Sequence, residues 1–107
     1  MGKNDRLSHR LSVLEAEYRS LLTAALRDCA AGQWGLFGHN EHLYPRGRPA
    51  VVDELFDLAQ AINRLRDQLG ESSFQLHDRF AEARGVQAEN ALGELKRAHA
   101  WLEEFDS

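Results

Sequence analysis

The chain has 107 residues, 43% of them hydrophobic and 28% charged, with a formal net charge of −4 at pH 7. This length and composition predict one globular domain over residues 1–107. The acidic balance excludes a general nucleic-acid binder, which carries a basic stripe, and no apolar run approaches the ~18 residues of a membrane-spanning helix.

The first predicted helix begins near Asn4 or Asp5, either of which can cap it, and ends before Gly32. Its apolar residues recur at alternating spacings of four and three, which places them on one face as a heptad seam. The seam is Leu7, Leu11, Leu14, Tyr18, Leu21 and Ala25, and it is widened on one side by Leu22, Leu26 and Cys29. A stripe this wide predicts contact with more than one neighbouring helix.

The next segment, residues 32–49, differs from the rest of the chain. It reads GQWGLFGHNEHLYPRGRP and contains both prolines, four of the eight glycines and three aromatic residues. Loops of this length are uncommon in compact domains and tend to be functional or packed on themselves. Because disordered segments are poor in aromatic residues, we predict an ordered loop that caps the bundle.

The second predicted helix runs from Ala50 to Leu69, with Pro49 in its first turn and Gly70 just past its end. The same spacing recurs in Val51, Leu55, Leu58, Ile62, Leu65 and Leu69, with Val52, Phe56 and Ala59 extending the stripe. Two long helices with matching seams are expected to pack against each other, antiparallel, in a bundle.

A short third helix is predicted after Ser72 or Ser73, and Gly85 is expected to separate it from a last helix over residues 86–105. The third helix carries Phe74, His77, Phe80 and Ala81. The face of the last helix is Ala88, Ala91, Leu92, Leu95, Ala98, Leu102 and Phe105, with Trp101 on its rim. The predicted fold is therefore all-α: a small helical bundle of three long helices and one short one, with a long ordered aromatic-rich loop after the first.

One candidate metal site combines His39, Glu41 and His42 of the loop with His77 and Asp78 of the third helix. Imidazole and carboxylate groups suit a divalent metal such as zinc, provided that three or four of them converge. The alternative is that the loop histidines hydrogen-bond carbonyl groups around the glycine turns, and that His77 packs in the core among the phenylalanines.

A histidine followed downstream by a His-Asp pair resembles the HD-type phosphohydrolases, helical enzymes that bind metal through such residues. The resemblance rests on His39 or His42 and on His77-Asp78 in the stretch FQLHDRF. It implies metal-dependent hydrolysis. That family also uses a further downstream aspartate, for which this chain offers Asp106.

A candidate anion site lies at Arg46 and Arg48, immediately before the second helix. The amino terminus of a helix favours an anion, and two guanidinium groups could clamp a phosphate or a carboxylate. Alternatively, these arginines pair with Asp53, Glu54 or Asp57 in the first turns of the helix.

The apolar stripes exceed what one small bundle needs, which indicates a protein interface. We expect a homodimer, or association with another helical protein, anchored by Trp34, Tyr44 and Trp101. The function predicted from sequence is thus self-association without catalysis and without a cofactor. The alternative is a small metal-dependent hydrolase or a ligand-binding bundle.

Cys29 is a lone cysteine, so an intrachain disulfide is excluded. It is expected to be buried and inert beside the seam. Because the first residues also lack the apolar stretch of a signal peptide, we expect a cytoplasmic protein.

Overall fold

The computed structural model describes residues 2–32, 36–37, 50–85 and 91–106. Within these ranges the chain forms four helices and no strand, which confirms the predicted all-α bundle. The helices are α1 (Lys3–Ala30), α2 (Ala50–Gln68), α3 (Gln75–Gly85) and α4 (Ala91–Asp106). Helix α3 extends to Gly85, the last residue of its described range, so the expected break after Gly85 and the expected start of the last helix near Val86 lie outside the described residues.

Two glycines end the long helices in the positions predicted for them. Gly32 has a φ of 81° and Gly70 a φ of 74°, in the left-handed region that glycine adopts without a Cβ clash. After α2, the N–H of Gly70 donates to the Asp67 carbonyl and the N–H of Glu71 donates to the Arg66 carbonyl. This pair of bonds is a Schellman motif, which satisfies the last carbonyls of the helix and turns the chain toward α3.

Helix α1 lies between α2 and α4 and is antiparallel to both. Toward α2, Glu15 accepts from Arg66 at 3.0 Å, so the amino-terminal half of α1 lies beside the end of α2. Toward α4, Cys29 contacts Glu94 at the start of that helix, whereas the Arg19 guanidinium lies 5.6 Å from the Phe105 ring near its end. The expected contact of α1 with two neighbours is confirmed.

The buried residues of α1 and α2 do not coincide with the seams predicted from the sequence. On α1 and α2 the residues that were expected only to widen the stripes lie at the centre of the core, including Leu22, Leu26 and Cys29 on α1 and Val52 and Ala59 on α2. One edge of each seam is half-buried instead, namely Leu7, Leu14 and Leu21 on α1 and Val51, Leu58 and Leu69 on α2. The core centre therefore lies toward α3 and α4.

Trp101 occupies the core and not the rim of α4, contrary to expectation. It is 8% exposed, and its ring packs against Phe37, Phe80 and Phe105 at centroid distances of 5.8, 6.4 and 6.2 Å. The buried line of α4 is Glu94, Ala98 and Trp101, so the helix is rotated toward its tryptophan.

Little large apolar surface is fully exposed on the described residues. Val13, at 51%, is the large hydrophobic side chain that is exposed there. No helix in the described ranges combines the length and apolar character needed to cross a bilayer. The apolar residues outside the core are thus mostly half-buried along the edges of the helices.

Candidate functional site

Most of the predicted site residues belong to the loop between α1 and α2 and lie outside the described residues. These are Trp34, His39, Glu41, His42, Tyr44, Arg46 and Arg48. The metal and anion sites assigned to them therefore stay predictions. The structure does describe Leu36 and Phe37 of that loop, and both are completely buried.

Leu36 and Phe37 are held by polar side chains of α3 and α4. The backbone N–H of Phe37 donates to Oε2 of Glu94 at 3.1 Å, and the Arg84 guanidinium donates to the Leu36 carbonyl. The Arg97 guanidinium lies 5.2 Å from the centre of the Phe37 ring, a cation–π distance. This part of the loop is therefore fixed onto the bundle, as the prediction of an ordered cap requires.

Cys29 lies under the same turn, where its thiol contacts the Glu94 carbonyl at 3.7 Å and the Glu94 carboxylate at 3.8 Å. Burial raises the pKa of Cys29 to about 11, and the charge of Glu94 adds to the increase while a backbone hydrogen bond from Leu36 opposes it. The thiolate is the nucleophilic form of cysteine, so a thiol that stays protonated at neutral pH is a poor nucleophile. The expected burial of Cys29 is confirmed, and the raised pKa is what an unreactive thiol requires.

Glu94 is the residue of this cluster that the sequence reading missed. It is 3% exposed although it is an acid, and buried acids need partners. A signal was present, because Ala98, Trp101 and Phe105 follow the four-three spacing and one further step of four toward the amino terminus reaches Glu94. An acid in line with an apolar face indicates a buried polar contact.

A second buried polar pair joins α1 to α3. Nδ1 of His77 lies 2.7 Å from the Tyr18 hydroxyl, which is the donor when Nδ1 is unprotonated. The imidazole packs edge-on against Phe56 at 4.6 Å and against the Tyr18 ring at 5.6 Å. Burial lowers the pKa of His77, opposed by the charge of Asp78, and burial also raises the pKa of Tyr18. His77 is thus the packing histidine of the alternative reading.

The neighbouring residues His77 and Asp78 have different partners. The Asp78 carboxylate accepts a hydrogen bond of 2.6 Å from the hydroxyl of Ser73, which precedes α3. Asp78 is exposed, whereas His77 is buried. Across the described ranges, no group of three or more His, Cys, Asp or Glu side chains could hold a metal ion. The loop histidines lie outside the described residues, so a site that joins them to His77 and Asp78 stays a prediction.

A shallow groove of about 390 Å³ runs between α3 and α4, lined by Arg79, Glu82, Ala83, Arg97 and Trp101. The Arg79 guanidinium covers the Trp101 ring at 5.0 Å and donates to Glu104 at 2.8 Å. Arg97 donates to the Ala83 carbonyl at 3.1 Å. The arginines of this groove are therefore engaged within the chain, where they cover the aromatic core.

The opposite side of α1 carries a different surface, which we call the outer α1/α2 face. Its floor consists of half-buried apolar residues that recur every seven positions: Leu7, Leu14 and Leu21 on α1, and Val51 and Leu58 on α2. Part of it forms a groove of about 170 Å³ between the helices, lined by Arg10, Leu14, Ala61, Arg64, Leu65 and Gln68. A seven-residue repeat keeps one helix edge in line over several turns, so each column follows one edge of its helix.

Comparison with known proteins gives no relative: no family model, curated protein or solved structure matches the chain.

Proposed function

We propose that this protein acts without catalysis, by self-association through the outer α1/α2 face. The observation that carries the proposal is the pair of seven-residue columns, Leu7/Leu14/Leu21 and Val51/Leu58, which are apolar yet only half-buried in the monomer. Apolar columns of this spacing are covered in helical proteins by a further helix. A twofold dimer supplies such helices from a second copy of the chain.

The lengths of α1 and α2 set an upper limit on the area of the face. At 1.5 Å per residue, the 28 residues of α1 span about 42 Å and the 19 residues of α2 about 28 Å. With roughly 10 Å of width for each helix, one full side of both helices offers at most about 700 Å² per partner, and the apolar columns extend over about half of that length. Standard protein interfaces bury ~800 Å² per partner.

The buried polar groups favour a binding role over a catalytic one. Phe37 and Cys29 contact Glu94, and Tyr18 is bonded to His77, so these groups hold the fold together. The thiol of Cys29 is protonated at neutral pH. A lone, buried cysteine also suits the reducing cytoplasm, where we place the protein.

The proposal is tested by measuring molar mass against concentration, with light scattering after size exclusion and with sedimentation. We expect the wild type to shift from monomer to dimer between low and high micromolar concentration. Leu14→Gln should remove that shift. Leu76→Gln is the matched control, because Leu76 is a half-buried leucine of α3 away from this face. A wild type that stays monomeric throughout, or a dimer that both variants weaken equally, contradicts the proposal.

A further inference from the structure

We draw no further inference here: the strongest candidate, the half-buried apolar surface of the outer α1/α2 face, carries nothing beyond the self-association proposed above, because nothing in the structure shows what covers it.

Discussion

The two edges of α1 carry the same kind of residue and have opposite surroundings. Leu22, on the edge toward α3 and α4, is completely buried, whereas its neighbour Leu21, on the edge beside α2, is only half-buried. The inner edge is covered by an aromatic core and by the turn at Leu36 and Phe37. The outer edge is rimmed by charged residues in contact with water. The difference shows that hydrophobicity along a helix marks what can be buried, while the neighbouring elements decide what is buried.

The two regions also treat polar groups differently. Inside, Glu94 and His77 are each bonded to a partner in the chain, and the buried side-chain polar atoms of the described residues all have hydrogen-bond partners. A buried polar group without a partner costs free energy, so these pairs are structural requirements. On the outer face, Arg10 and Glu17 are exposed. Polar groups therefore form hydrogen bonds within the inner region and lie at the surface of the outer one.

The largest expected effect comes from exchanging adjacent leucines. Leu22→Ala should lower the free energy of unfolding by about 2–5 kcal/mol, because it leaves a cavity in a packed core. Leu21→Ala should cost less than half as much, since its side chain is already partly in water. Both values come from urea denaturation at low micromolar concentration, where self-association is minimal. Equal losses would mean that the two edges are equally buried, and the comparison would fail.

A smaller effect is expected at the Glu94 carboxylate. Glu94→Leu leaves the N–H of Phe37 without its acceptor and should destabilise the fold by about 1–3 kcal/mol. Glu94→Gln keeps a side-chain oxygen that can accept from Phe37, so it should recover part of that loss. Tryptophan fluorescence and denaturation both report the change, because Trp101 packs on Phe37. If Glu94→Leu were as stable as the wild type, Glu94 would not be what holds the loop.

The smallest expected effect is a pH dependence that arises from His77. Burial lowers its pKa in the folded state, whereas an unfolded histidine titrates near pH 6.5. As the pH falls through about 6.5, the unfolded chain takes up a proton that folded His77 does not, so the free energy of unfolding decreases.

The measurement compares the wild type with the double variant Tyr18→Phe/His77→Phe, which removes both members of the pair and leaves no unpaired group. The stability of the wild type relative to that variant should decline between about pH 7.5 and pH 5. A constant difference over this range would show that burial does not disfavour the charged form of His77.

The positions and ends of the helices were accessible to sequence reasoning for local physical reasons. Helices α1, α2 and α3 were predicted from two local signals, the spacing of the apolar residues and the glycines Gly32, Gly70 and Gly85. Each signal affects only the few residues around it, so it can be recognised without knowledge of the fold. The same reasoning placed Trp101 wrongly at the rim. The rotation of α4 about its axis is set by its packing against the other helices, and it turns Trp101 into the core. It also missed Glu94, whose acceptor role depends on Phe37, 57 residues away in the chain.

The sequence by itself determined that this chain forms an acidic, all-α bundle with stripes wider than one contact, since these properties follow from composition and local periodicity. Only the tertiary structure decided which edge of each stripe is buried and that Glu94 accepts from the loop at Phe37. Those outcomes depend on the packing of the helices, which long-range contacts set and no local pattern specifies.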